Sequence, residues 1–247
     1  MNANKNSIAR LLLTALVAIT CIAAGRASAA ILPPNSKPYG KTYSQWAKAW
    51  WQWAVSIPAD VNPLLDATGQ NAALGQSGPV WFLAGNLGGT SVRRVTVPTG
   101  KALLVPLVNT IYLGFPCDDR NLPGCESDQA LEQANDIATL LSFVNPSMDG
   151  AALTCEIDGQ SVGNLQAYRE ASAAIYEVDA VEGNIFEPSG LPAGPYHPCV
   201  DAGYYLLITP LSAGTHMIHF TGATAGGSFS LDVTYLLTIT GRSADAL

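Results

Sequence analysis

Three groups of side chains have the types and spacing that could do chemistry, and two of them lie on strand-like runs. In THMIHFTGATAGGSFSLDVTY, His219, Ser230 and Asp232 fall on the same side of a two-residue alternation. A hairpin of residues 215–221 and 229–240 that puts Phe220 opposite Phe229 places His219 opposite Ser230. Nucleophile, base and orienting acid would then share one face, as acyl transfer requires. That face is also the polar one, where such residues are common. GQSGP at 75–79 lacks the spacing of a Gly-x-Ser-x-Gly elbow. In the second group, Glu177 and Asp179 alternate with Tyr176, Val178 and Ala180 along residues 174–180. Carboxylates two residues apart on a strand sit about 6.5–7 Å apart, within the range used by inverting glycosidases. A solvated edge in an acidic chain has the same signature.

The third group surrounds CDDRNLPGC. Asp118, Asp119, Asn121, Glu126 and Asp128 offer the hard oxygens that calcium takes, though not at EF-hand spacing. Asp128, with Glu132, also suits the first turn of a helix. His197, His216 and His219 are the only histidines. Residues 216 and 219 are three apart in a strand and point to opposite faces, so they do not share an ion. With no phosphate-cradling loop, dinucleotide fingerprint or Cys-x-x-Cys, the chain implies no cofactor other than that calcium.

A fourth feature is suited to binding. In YSQWAKAWWQWAVSIP, Trp46, Ala49, Trp50, Trp53, Ala54 and Ile57 recur at helical spacing, which predicts a helix over 43–57 ended by Pro58. Its stripe should pack on a β core. Trp51 is turned about 100° from Trp50, so it is expected to be exposed and free to stack on a glycan.

These residues must be positioned by a largely β framework. Residues 30–40, with three prolines, read as an extended arm. Residues 62–89 read as long loops around a short apolar strand at 80–83. Runs at 92–97 and 102–108 follow, joined by Pro98-Thr99-Gly100, and the second is apolar on both faces, as in a central strand. A second helix is expected over 128–143, capped by Ser127 and ended by Asn145-Pro146. Short strands at 153–157, 174–180, 204–209, 215–221 and 229–240 complete a mainly β fold. The pattern predicts a β-sandwich or jelly-roll with two packed α-helices, as a single domain over 41–247.

The compartment is read from the start of the chain. Lys5 and Arg10, an apolar run at 11–24 and Ala27-Ser28-Ala29 predict a signal peptide over 1–29 and a mature chain from Ala30, secreted or periplasmic. Cys21 would leave with it. Cys117, Cys125, Cys155 and Cys199 are then an even set in an exported chain, read as disulfides Cys117–Cys125 and Cys155–Cys199. A zinc site would need closer pairs. The net charge of −7 becomes more negative once Lys5, Arg10 and Arg26 are lost. That excludes nucleic acid and anionic membranes as partners, and no second apolar run is long enough to span a bilayer.

The segments YGKTYSQWAKAWWQWAVSIP, NPLLDATGQ, GQSGPVWFLAG, VTVPTGKALLVPLVN, EIDGQSVGNLQAYREAS and YYLLITPLSAGTHMIHFTGA resemble a group of secreted bacterial proteins of unassigned function. The resemblance spans about residues 39–240. It implies export and one shared architecture, and it carries over no catalytic residue. From the fold class and the lack of a catalytic motif, the chain is expected to be a non-catalytic extracellular or periplasmic module that binds a glycan or surface partner. The alternatives are a secreted hydrolase using paired carboxylates, and a self-associating surface protein.

Overall fold

The computed structural model describes residues 29–114 and 136–241. The described chain is mainly β and forms two mixed sheets. Ten strands run in chain order: β1 (Val80–Phe82), β2 (Gly89–Val97), β3 (Ala102–Leu113), β4 (Ala152–Ile157), β5 (Gln160–Ser161), β6 (Arg169–Ala171), β7 (Tyr176–Ala180), β8 (Gly194–Ile208), β9 (Gly214–Ala223) and β10 (Ser230–Ile239). Sheet one has the order β1-β3-β8-β6, with β7 also paired to β8, and sheet two the order β2-β10-β9-β4-β5. β1 with β3 and β2 with β10 are parallel, and the remaining pairs antiparallel. β2 and β3 are joined by the expected turn but enter different sheets.

Alternation along each strand builds a core between the sheets. Val200, Ala202, Tyr204, Leu206 and Ile208 of β8 meet Ile218 and Phe220 of β9 and Val233, Tyr235 and Leu237 of β10 there. The odd-numbered residues of β8 point to the other face of sheet one. Tyr205 and Leu207 pack there with Ala102 and Leu104 of β3 beneath helix α1 (Tyr43–Val55). Helix α2 (Ile137–Met148) adds Leu140, Val144 and Met148 to the core between the sheets.

β3 is central, between β1 and β8, as its two-faced apolar run predicts. Pro106 is accommodated by a bulge: the register with β8 shifts between Pro106 and Val108. Leu107 and Val108 therefore both face the core between the sheets, and Asn109 is turned to the α1 side, where its amide meets Tyr205. Two glycines make room. A Cβ on Gly203 would lie 2.5 Å from Asn109 Cβ, and one on Gly222 2.2 Å from the Leu107 carbonyl oxygen.

Several expectations change. Helix α2 starts after Asp136, whose carboxylate accepts from the Ala138 and Thr139 amides, and it continues through Pro146 to Met148. Burial of Val144 and Met148 keeps the chain helical past the proline. Residues 128–135 of the expected helix, and Ser127, lie outside the described residues. PYHPC at 195–199 belongs to strand β8, where Tyr196 pairs with Val178 and Cys199 with Tyr176 across an irregular step. The arm is extended only at its start. Ala30 and Leu32 bond to Thr209 and Leu207 backbone, Ile31 bridges Ile208, and a short 3-10 turn follows at Pro38–Gly40.

The Cys155–Cys199 disulfide does not form, and both thiols are free and buried. Cys155 faces the core between the sheets and Cys199 the opposite side of sheet one, with Tyr176 and Tyr196. A bond between them would have to pass through that sheet. Burial pushes both thiols up to about 12, and the Cys199 thiol donates to the Tyr196 carbonyl at 3.0 Å. Cys117 and Cys125 lie outside the described residues.

Candidate functional site

Helix α1 is fixed at its start by a capping box. The Thr42 hydroxyl accepts from the Gln45 amide, and the Gln45 side chain accepts from the Thr42 amide. Tyr43 donates to the Leu32 carbonyl and accepts from the Leu207 amide, tying helix, arm and β8 together. Three of the four tryptophans then find backbone partners. Trp46, Trp50 and Trp53 donate at 2.9 Å to the carbonyls of Pro38, Leu83 and Leu74.

Trp51 corrects the sequence reading: it is buried, with 5% of its surface exposed. The helix is covered on two sides rather than one. Phe186 stacks on Trp51 at 6.3 Å between ring centroids, and Trp50 meets it edge-on at 5.0 Å. The Trp51 Nε1 donor is buried and has no hydrogen-bond partner.

A cavity of about 300 Å³ opens beside these rings. Trp50, Trp51, Phe186 and Phe229 give it aromatic walls, and Leu64 and Leu87 close it from the 62–89 loop. Asn86, Asn109, Thr110, Ser147 and Thr224 supply amide and hydroxyl groups, and among the described residues no charged or ionisable side chain lines it. Arg93 holds the loop wall. Fully buried, it donates to the carbonyls of Leu64, Asp66, Ala84 and Gly85 and to the Tyr235 hydroxyl.

Beyond Asn109 lies a cluster of buried ionisable groups with shifted pKa values. Asp201 is 1% exposed. It accepts from the hydroxyls of Ser172 at 2.8 Å, Tyr176 at 3.0 Å and Tyr205 at 3.1 Å. Burial raises its pKa, while those three donors pull it back. Asn109, which lines the cavity, donates to the Tyr205 hydroxyl at 3.2 Å. Burial and the Asp201 charge hold Tyr176 and Tyr205 well above the usual tyrosine range. Burial, followed by the nearby Asp201, raises Glu170 to about 7. With every Asp201 hydroxyl contact already made from within the fold, the cluster acts as a rigid polar backing to the cavity.

The other predicted groups are placed as follows. His219 Nε2 lies 3.0 Å from Asp232 Oδ1, but Ser230 is not brought to them. The β9–β10 register pairs Phe220 with Val233 and His219 with Thr234, four residues from the expected register, because the connection takes up residues 224–229. The shift is even, so the faces are kept, yet Ser230 stands about 13 Å along the strand from the position opposite His219. Glu177 and Asp179 share one exposed face of β7, as predicted, but neither lines the cavity beside α1. Asp118, Asp119, Asn121, Glu126 and Asp128 lie outside the described residues, and no metal-holding group of three His, Cys, Asp or Glu occurs among the described ones.

Sequence reasoning missed a second Ser-His-Asp grouping. His216 Nδ1 lies 2.7 Å from Asp158 Oδ2, and Nε2 lies 3.4 Å from Ser212 Oγ. These residues come from two turns and a core-facing strand position, so no spacing announces them. Nε2 is closer, at 2.9 Å, to the Ser212 carbonyl. A carbonyl oxygen only accepts, so Nε2 donates there and has no lone pair left for the hydroxyl. The pair pins the Asp158-Gly159 turn to β9, beside a depression of about 530 Å³ on the outer face of sheet two.

Comparison with family models, with curated proteins and with solved structures finds no match. No described helix is long and apolar enough to cross a membrane.

Proposed function

We propose that the chain is an exported, non-catalytic binding module of sandwich architecture whose cavity beside α1 takes a sugar ring at the end of a glycan. One observation carries this reading: aromatic rings, the amides of Asn86 and Asn109 and hydroxyls line the cavity, and none of its described lining residues is ionisable. A pyranose has an apolar face that packs on aromatic rings and hydroxyls that bond to neutral polar groups. Hydrolysis of the glycosidic bond would require two carboxylates flanking it. Export fits the position of Ala30, the first residue after the expected cleavage point, which is already bonded to Thr209 at the edge of β8.

The test is calorimetric titration with a panel of methyl pyranosides of gluco, galacto, manno and 2-acetamido type. At least one should bind the wild type with a Kd of about 1 mM or lower. Ser147→Phe, which fills the cavity from α2, should weaken that binding at least about tenfold. Binding that survives the filled cavity, or the absence of binding by the whole panel, contradicts the reading.

A further inference from the structure

Asn109, Thr110 and Ile111 are consecutive on β3, yet all three line the cavity beside α1. Successive residues of a strand point to opposite faces, so a space that borders all three lies along the edge of the strand. Sheet one leaves that edge free. β1 pairs with β3 only at residues 102–104, and the last bond between them runs from the Leu83 amide to the Leu104 carbonyl. Ala84 is bonded instead to the Tyr235 hydroxyl of sheet two, so the chain departs from β3 there. Pro106, the next residue on that edge, has no N–H to satisfy.

The ladder with β8 fixes where the backbone groups beyond Pro106 point. Asp201 is the partner of Ile111, but its amide donates to the Ser172 hydroxyl and its carbonyl accepts from the Ser172 amide, both on the far side of β8. Ile111 and Asp201 therefore exchange no bonds, and in such a pair the N–H and C=O of each residue point away from the other strand. Asn109, opposite Gly203 two residues along, is oriented in the same way. The main-chain N–H and C=O of Asn109 and Ile111 thus face the cavity on half-buried residues, and no described group bonds to them. On β2, the edge strand of sheet two, the Arg94 amide is instead taken up by the Thr68 carbonyl.

We propose that this free edge of β3 is the hydrogen-bonding element of the cavity, and that it reads a pair of vicinal hydroxyls on the sugar ring. The inference rests on the glycan reading given above and adds the groups that select the ring. A residue on a strand edge presents one donor and one acceptor side by side. Two neighbouring equatorial hydroxyls of a pyranose complement them: one donates to the carbonyl while the other accepts from the N–H. Several side chains of the cavity are already engaged within the fold. Asn86 is bonded to Gly88, Gly89 and Ser91, Ser147 donates to the Val144 carbonyl, and Thr224 is bonded to Phe229. A ring whose hydroxyls stand apart leaves half of the edge pair unmet.

The probes are trans-1,2-cyclohexanediol and its isomer trans-1,4-cyclohexanediol, which carries the same hydroxyls at opposite ends of the ring. The readout is the set of backbone amide and indole signals in a nitrogen–proton correlation spectrum. Without a probe, the Asn109 and Ile111 amides should exchange with solvent faster than the Thr110 amide, which faces β8. Equal protection of all three would show the edge to be covered and would overturn the inference. The 1,2-diol should move the Asn109 or Ile111 amide proton downfield and bind about tenfold more tightly than the 1,4-diol, the effect of one added hydrogen bond. Ile111→Pro removes an N–H that the β8 ladder does not use, and should reduce that preference. The wild-type spectra decide the matter even if that variant does not fold. If both diols move the Trp50 indole signal with equal affinity and the two amides stay in place, the inference is overturned and the cavity reading stands. If acetyl-alanine methylamide moves the two amides and neither diol does, the edge takes a peptide strand and the diol assignment is overturned. If neither diol nor any pyranoside of the panel perturbs the cavity, both readings fall.

Discussion

The outer faces of the two sheets are built from similar alternating strands but ended up with different chemistry. Sheet two leaves its outer face open. His219, Asp232, Thr234, Leu236 and Met217 lie there in solvent or half-buried, and the 530 Å³ depression beside them is wide, with Arg94 and the His216–Asp158 pair at its margin. Sheet one covers its outer face with α1, a loop and the arm, and this cover leaves a smaller aromatic cavity, an unpaired indole donor and a carboxylate ringed by three hydroxyls. The open face holds the His219–Asp232 pair, whose types suggest catalysis, while the other such pair, Glu177 and Asp179, stands exposed on β7 of sheet one. The covered face holds the perturbed groups and the enclosed space, and recognition depends on enclosure more than on residue type.

The largest effect expected of this contrast is on α1. Trp50 is fully buried and donates to Leu83. Trp50→Ala should lower unfolding stability by about 3–5 kcal/mol in denaturant titration, and a variant as stable as the wild type would detach the helix from the core. Next comes the bulge that turns Asn109 to the cavity. Gly203→Ala drives a Cβ against Asn109 and the Val108 carbonyl, and should lower stability by about 1–3 kcal/mol. A neutral Gly203→Ala would mean that the bulge is not tightly packed there.

The third effect is a pH dependence confined to the covered face. Glu170 has a folded pKa of about 7, raised from 4.5 by burial and by Asp201. A raised folded value means that the folded state holds the proton more firmly, so this stabilisation is complete below the unfolded pKa. It is lost as pH rises through about 7, and Asp201 contributes with the same sign. Solvent screening at the half-buried Glu170 limits its share to about 1–2 kcal/mol. Glu170→Gln, which mimics the protonated acid, should flatten that part of the stability–pH profile between pH 5 and 8; an unchanged slope would assign the dependence elsewhere. The smallest effect belongs to the open face. Ser230→Ala and His219→Ala should each change stability by less than about 0.5 kcal/mol and leave pyranoside binding unaltered. Loss of binding in either would move the site to sheet two.

Features that depend on local pattern were legible in the sequence. The α1 stripe, the central position of β3 and the alternation of β9 and β10 follow from periodicity, and all three appear in the fold. Features that depend on which sheet or which cover a residue meets were not. Cys155 and Cys199 satisfy every spacing argument for a disulfide, but sheet one separates them. Trp51 is off the helical stripe, as counted, but Phe186 reaches it from a loop more than a hundred residues away. Asn109 would face the core between the sheets if β3 alternated regularly. Only the bulge after Pro106, permitted by Gly203, turns it to the cavity, and Pro106 was the one local sign of it.

The central claim is that the functional surface of this protein is the enclosed cavity of sheet one rather than the open face of sheet two. The most direct test is a map of backbone and indole chemical-shift changes on titrating the wild-type protein with whichever methyl pyranoside binds it. The changes should cluster at Trp50, Trp51, Asn109, Thr110 and Phe186. A map centred instead on Met217, His219, Asp232 and Leu236, with the indole signals unmoved, would contradict it.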